Sequence, residues 1–158
     1  MVDPSDGMRS FQKALRQGKI AIHVAKTDPN LFVRLDAPNG PPEIRFTYVR
    51  LKRMTVTALV MFAAQPPING KPSFAIGYAV PKTYRSQGRA KEIVAAAIAD
   101  MEAGLKRNGQ PVFYIEAIVD AENTASRKIA EQLISSDSEA ITEGKSGLPA
   151  LKYVREVS

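Results

Sequence analysis

The chain has no cysteine and no tryptophan, and His23 is its only histidine. Without cysteine there is no disulfide framework, no thiolate metal site and no thiol catalysis. One histidine cannot supply the HExxH pair of a zinc protease, and no GxSxG motif is present to place a serine nucleophile in a triad with it. We therefore expect no metal site, and we expect His23 to be a structural or surface residue.

Long apolar runs are also missing. The longest, residues 55–64, is too short to span a bilayer, and the first ten residues contain acids but no apolar core typical of a signal peptide. These features predict a cytoplasmic protein with no membrane partner. At 158 residues the chain is predicted to form a single domain over residues 1–158.

The charge balance favours anionic partners. The formal net charge is +6 and the pI is about 9.7, which suits nucleic acids, acidic protein surfaces and phosphorylated cofactors. The basic residues are spread along the chain, however, and no helix-turn-helix, zinc-finger or RNP pattern accompanies them. The sequence therefore disfavours nucleic acid as the primary partner.

The pattern of apolar residues predicts a β-rich first half followed by alternating strands and helices. Predicted helices cover residues 6–16, 88–107 and 123–134, and predicted strands cover 20–25, 31–35, 46–51, 55–62, 74–80, 112–119, 139–142 and 151–157. Residues 37–42 and 65–72 are predicted to be loops. Two strands joined by a long helix are normally parallel, so we predict a mixed α/β sheet.

The most informative feature is a basic turn, RSQGRAK at positions 85–91, between a predicted strand and a predicted helix. The first N–H groups of a helix are unpaired and lie at the positive end of its dipole. A turn that combines Gly88 with Arg85 and Arg89 can therefore hold an anion such as phosphate. A second strand-then-helix segment follows, with Asn123 and Ser126 at its turn; Asn123 is also a good helix N-cap in its own right.

These two segments carry a resemblance to a known family. RSQGRA at 85–90 resembles the R/Q-x-x-G-x-G/A acyl-CoA motif of the GCN5-related N-acetyltransferase (GNAT) family. NTAS at 123–126 is similar to the N-x-x-S segment of the branch that contains ribosomal-protein N-terminal acetyltransferases. The resemblance covers residues 74–134. It implies a fold of the α/β (α+β) class, with a mainly antiparallel mixed sheet whose central parallel strand pair is splayed and flanked by helices.

The resemblance also implies acetyl-CoA as cofactor and a set of residues that bind it. Backbone amides of residues 87–91 would hold the pyrophosphate, and the Val80 amide would polarise the thioester carbonyl. Residues 78–80 would splay from residues 115–118, leaving a strand edge for the pantetheine amides. The implied cofactor-binding residues are Ala79, Val80, Arg85, Ser86, Gln87, Gly88, Arg89, Ala90, Lys91, Asn123 and Ser126.

For catalysis, Glu116 is the best-placed general base by sequence, and Asp120 and Glu122 are expected to be more solvated. In many family members a tyrosine one turn further along the helix than Ser126 protonates the departing thiolate, but Ala130 stands at that position. Ser126 or an ordered water is left to protonate the thiolate, or no acid is present.

The sequence thus predicts an N-acetyltransferase that transfers acetyl from acetyl-CoA to a primary amine by direct attack in a ternary complex. The acceptor is an unidentified small-molecule or protein amine, and a chain with a charge of +6 suits an acidic protein or a modest amine better than a polycation. Two alternatives stay open, a non-catalytic acyl-CoA-binding regulatory domain and a basic nucleic-acid- or ribosome-associated protein on the same fold. A homodimer is also open.

Overall fold

A computed structural model describes residues 4–158; the first three residues, part of the segment considered as a signal peptide, lie outside the described range. The helices are α1 (Pro4–Arg16), α2 (Arg89–Arg107) and α3 (Thr124–Leu133). The strands are β1 (His23–Val24), β2 (Phe32–Asp36), β3 (Arg45–Lys52), β4 (Thr55–Ile68), β5 (Lys71–Ala79), β6 (Phe113–Asp120), β7 (Glu139–Thr142) and β8 (Pro149–Val157).

The described strands form one sheet in the order β1-β2-β3-β4-β5-β6-β8-β7. β5 and β6 run parallel, joined by α2, and the other neighbouring strands in this range are antiparallel. A parallel pair needs a crossover connection, and the long helix supplies it. The predicted fold class is confirmed.

The main core lies between the sheet and the helices α2 and α3. One face of α2 packs against the sheet because its apolar residues recur at helical spacing. These residues are Ile93, Val94, Ala97, Ile98 and Met101. Phe74 meets Phe46 and Phe113 edge to face, with ring centroids 5.9 and 6.1 Å apart. Full burial of such side chains stabilises the fold by roughly 1.5–3 kcal/mol each.

α1 packs on the opposite face of the sheet. Met8 and Leu15 are buried there against apolar residues of β3, β4 and β5, which are Val49, Val56, Leu59, Met61 and Ala79. This helix covers β4 and β5. No helix in residues 4–158 combines the length and the apolar character needed to cross a bilayer.

The predicted loop at residues 65–72 is wrong. β4 continues to Ile68 and β5 begins at Lys71, so only Asn69 and Gly70 connect them. Both residues have positive φ, 50° and 73°, as a two-residue hairpin turn that matches the sheet twist requires. The Asn-Gly pair in the sequence indicates this turn. The prolines around it indicated a loop instead.

The predicted strand at residues 20–25 is also too long. β1 contains only His23 and Val24. Ile20 and Ile22 pack against the cluster under α1 instead of extending a strand. Packing against a helix therefore outweighed the β-propensity of this segment.

Candidate functional site

The two parallel strands separate at their carboxyl ends. β5 and β6 pair from Ser73 with Tyr114 to Ile76 with Ala117, and no register pair follows. Beyond that point 77–79 and 118–120 diverge around a cavity of about 280 Å³. The predicted splay is therefore present, but it begins later than expected, because residues 115–117 are still paired with β5.

Tyr78 spans the opening, and the sequence did not identify it. Its hydroxyl donates a hydrogen bond of 2.8 Å to the Ser126 carbonyl at the start of α3. Burial raises the pKa of Tyr78 to about 12, so the phenol is neutral at physiological pH. An aromatic residue late in a buried strand is usually core, and nothing in the sequence shows that its hydroxyl reaches the opposing helix.

The basic turn forms a cradle at the N-terminus of α2. A short 3-10 turn, Lys82–Tyr84, leads into two residues with positive φ, Ser86 at 61° and Gly88 at 73°. Gly88 is the N-cap of α2, and no side chain in the described part of the chain caps the helix there. The first N–H groups of α2 therefore have no capping partner and lie beside a cavity of about 530 Å³, which we call the cradle cavity.

The structure brings the predicted cofactor-binding residues together. Ten of the eleven line the cradle cavity, and Gln87 is the exception. The Gln87 side chain instead accepts a 3.1 Å hydrogen bond from Arg89. Tyr78, Tyr84 and Ile129 line the same cavity without having been predicted. Two residues of the helix start, Asn123 and Ser126, line both the cradle cavity and the cavity between the strands.

The arginines of the cradle are held in place without being neutralised. Arg85 Nε donates to the Val80 carbonyl at 2.9 Å, and the Arg89 guanidinium lies 5.0 Å from the centre of the Tyr84 ring. No carboxylate in residues 4–158 forms an ion pair with Arg85, Arg89 or Lys91. The positive potential is therefore available to an anionic ligand.

An ion-pair network fixes the start of α2. Arg50 on β3 donates to Glu92 in the first turn of the helix at 2.5 and 2.9 Å, and to Asp28 at 2.7 Å. These bonds raise the pKa of Arg50, and the Arg50 guanidinium lowers the pKa of Asp28. The network ties the cradle helix to the sheet.

A buried tether holds the middle of the same helix. Asp100 on α2 is 8% exposed and accepts hydrogen bonds from the Tyr48 hydroxyl at 2.8 Å and from the Thr27 hydroxyl at 2.9 Å. Burial, and then the hydrogen bond to Asp100, raise the pKa of Tyr48. α2 is thus anchored to the sheet at two levels, which preorganises the cradle.

The second predicted turn begins α3. Asn123 is the N-cap, and its side-chain oxygen accepts a 3.1 Å hydrogen bond from the Ser126 amide. Ser126 is a half-buried residue, and its hydroxyl has no hydrogen-bond partner in the described part of the chain. Ala130, one turn on, is fully buried and offers no proton donor.

Glu116 lies on β6 just before the strands diverge. Its Oε2 atom is 3.5 Å from Nζ of Lys152 on β8, and it does not line either cavity. Asp120, at the end of β6, does line the cavity between the strands. Its Oδ1 atom accepts a hydrogen bond from the Glu122 amide, which closes the turn toward α3.

A third cavity of about 610 Å³ lies between α1 and the 3-10 turn. It shares Tyr84 with the cradle cavity but contains none of the predicted site residues. Basic residues of α1, Arg9, Lys13 and Arg16, form one side of it.

Comparisons with known proteins place this geometry in a family. The model of the acetyltransferase (GNAT) domain family matches residues 24–133, which is 110 of the 158 residues. No curated protein matches.

Solved structures share the fold at low identity. A GNAT-family acetyltransferase from Streptococcus pneumoniae is 12% identical, with 99% of this chain and 96% of that chain covered and a TM-score of 0.57. A Salmonella typhimurium acetyltransferase, described as modifying the N-terminal serine of ribosomal protein L7/L12, is 17% identical, with a TM-score of 0.50. A putative acetyltransferase from the same organism, yncA, has acetyl-CoA bound, is 16% identical and has a TM-score of 0.54.

Coverage differs between these structures. The alignments to the two Salmonella chains cover 72% of this chain and 64% and 65% of those chains. At these identities the likeness shows the fold, and the family model carries the assignment. The predictions of the family, of an acetyltransferase and of acetyl-CoA as its acyl donor are confirmed at the level of the family. This chain belongs to the GNAT acetyltransferase family.

Proposed function

We propose that this chain is an N-acetyltransferase that transfers acetyl from acetyl-CoA to a primary amine by direct attack in a ternary complex. One observation carries the proposal: the cradle cavity and the cavity between the strands share Tyr78, Asn123 and Ser126, so an anion site leads to a free strand edge. This arrangement suits a long ligand with phosphates at one end and a thioester at the other. The yncA structure, which has acetyl-CoA bound, has the same fold.

The residues present fit the two ends of acetyl-CoA. The N–H groups of residues 89–91, together with Arg85, Arg89 and Lys91, supply donors and positive charge for a pyrophosphate. The carboxyl end of β5 has lost its partner on β6, so its backbone groups are free to bond the pantetheine amides.

The reaction needs one new bond and two proton transfers. The amine nitrogen bonds to the thioester carbonyl carbon, the carbon–sulfur bond breaks, the nitrogen loses a proton and the sulfur gains one. The Val80 amide is proposed to polarise the carbonyl, as a preorganised donor does in acyl transfer. The Ser126 hydroxyl, half-buried beside Tyr78, is proposed as the proton donor to sulfur.

For the base, Glu116 acts in this proposal directly or through one water, after its ion pair with Lys152 opens. Asp120 is a second candidate because it lines the cavity between the strands. The two are separable, since Glu116→Gln and Asp120→Asn each remove one carboxylate. The variant that loses the acidic limb of the pH–rate profile identifies the base.

A second function is favoured by the same contacts. Glu116 is paired with Lys152, and Ala130 supplies no proton donor, which together suit an acyl-CoA-binding domain without turnover.

The cytoplasmic location, the homodimer, the minor role of nucleic acid and the single domain stay predictions.

Release of CoA distinguishes these functions. Because the chain has no cysteine, the CoA thiol is the only thiol in a mixture of protein, acetyl-CoA and amine, and a thiol reagent reports it without background. We expect amine-dependent release that falls at least about tenfold in Ser126→Ala, while the exposed serine variant Ser10→Ala keeps wild-type activity. Tight CoA binding with no release for any amine would favour the binding domain.

A further inference from the structure

One half of the sheet is uncovered on the side of α1. In β6 the residues Phe113, Ile115, Ala117 and Val119 belong to the core under α2 and α3, so the alternating residues point the other way. α1 contacts mainly β4 and β5 on that side, and within residues 4–158 its first residues, Pro4 and Ser5, line the cavity between the strands beside Ile118 and Asp120. We call this surface the open face; its exposed and charged residues include Glu116, Ile118, Asp120, Glu139, Val154 and Glu156.

The open face is apolar at its centre and acidic around it. Ile118 is 47% exposed and Val154 is 38% exposed. Four carboxylates lie on this face of the three strands against one lysine, Lys152, which gives a local charge of −3 in a chain of net charge +6. Lys152 pairs with Glu116, and the Glu156 carboxylate accepts a bond from the Tyr114 hydroxyl at 3.1 Å.

The open face is continuous with the place where the acyl group is proposed to lie. Ile118 and Asp120 belong both to the open face and to the lining of the cavity between β5 and β6. A chain segment that lies along β6 and β8 can therefore place its end in that cavity. The acidic surface adjoins the cavity, whereas the basic cradle lies at the start of α2.

We propose that the acceptor is a basic peptide segment that docks on the open face and presents its free α-amine to the cavity between the strands. This inference rests on the proposed function. Guanidinium and ammonium groups match the carboxylates, and the aliphatic stems of arginine or lysine cover Ile118 and Val154. The local charge thus overrides the preference for acidic acceptors that the net charge of the chain suggested.

Peptide binding tests the proposal without requiring turnover. Two fluorescent peptides with free N-termini are compared, identical except that one carries arginines where the other carries glutamates. Arginine keeps the α-amine as the only primary amine. We expect the arginine peptide to bind the CoA-loaded protein at least about tenfold more tightly, with an affinity that falls as salt is raised.

Charge reversal on the open face is compared with the same change of net charge elsewhere in the chain. The pair Glu139→Lys with Glu156→Lys should remove the preference for the arginine peptide. The pair Glu43→Lys with Glu102→Lys changes the net charge equally, but Glu43 lies in the loop before β3 and Glu102 on α2, so the preference should remain. Should the first pair fail to fold in a thermal melt, Glu156→Lys alone is expected to show part of the effect.

Three results would overturn the docking proposal: equal affinity for both peptides, no binding of either, or equal losses in the two charge-reversal pairs. A second copy of the chain is the other possible occupant of the open face, and sedimentation of the wild type and of the Glu139→Lys, Glu156→Lys variant tests for it. A wild-type dimer that the two substitutions break would assign this surface to a second copy. A CoA titration of the same preparation separates the proposals. CoA binding without peptide discrimination refutes the docking surface alone, and absence of CoA binding refutes the proposed function.

Discussion

Alanine at Gly88 is the sharpest single perturbation of the cradle, because the chain carries a matched control. Gly88 and Gly109 stand at opposite ends of α2 with φ of 73° and 79°, and apart from its chain neighbours a Cβ at either position would meet no atom of residues 4–158 within 4 Å. Each substitution therefore imposes the same left-handed strain without a clash, which costs about 1 kcal/mol. For a domain of this size that loss lowers Tm by roughly 2–4 °C.

The two variants should differ in ligand binding. Gly88 lines the cradle cavity, and its open space is where a phosphate would approach the free N–H groups of α2. Gly109 follows the far end of a 19-residue helix, about 28 Å away. A methyl group at position 88 should weaken CoA binding at least about tenfold, which is roughly 1.4 kcal/mol, and one at position 109 should leave it unchanged.

Calorimetric titration with CoA and thermal unfolding of both variants measure these two effects. The expected result is similar Tm losses with a loss of affinity confined to Gly88→Ala. Equal CoA affinities would show that the cradle does not hold the phosphates. A much larger Tm loss in one variant would show that the glycines are not equivalent and that the comparison fails.

Three further predictions concern the elements around the site. Tyr78→Phe removes the bond across the opening to the Ser126 carbonyl and should lower the free energy of unfolding by about 1 kcal/mol in urea, and an unchanged midpoint would show that water replaces the bond. Asn123→Ala removes the N-cap of α3 and should also cost about 1 kcal/mol, whereas Asn123→Ser should restore most of the loss. The Arg50 bond lowers the folded-state pKa of Asp28, so its stabilisation is present above the unfolded pKa of about 3.9 and is lost as pH falls through the folded value. Asp28→Asn should therefore flatten the fall of stability below about pH 4, and an identical pH profile would contradict this.

Much of the site was predictable because its signals are local. The free helix start at Gly88 and the cap at Asn123 follow from residue types at fixed offsets, and both predicted helices begin within one residue of the observed position. Parallel pairing of β5 and β6 followed from the length of the connection between them. Propensity and periodicity are informative for such features.

The features of the site that the sequence did not predict depend on contacts between residues far apart in the chain. The hydroxyl of Tyr78 meets a carbonyl 48 residues away, and the end of β5–β6 pairing depends on the register of two strands. The negative charge of the open face arises because alternate residues of three strands share one side, which a net charge of +6 conceals. These features can be identified only once the three-dimensional structure is known.

Chemical-shift mapping of acetyl-CoA on the ¹⁵N-labelled protein tests most directly whether the cofactor binds in the two connected cavities. We expect the amides of residues 77–80, 85–91 and 123–126 to shift together on titration, since they surround the two connected cavities. Shifts confined to residues of the third cavity, such as Gln12 and Thr55, or no shifts at millimolar ligand, would contradict binding in the two connected cavities.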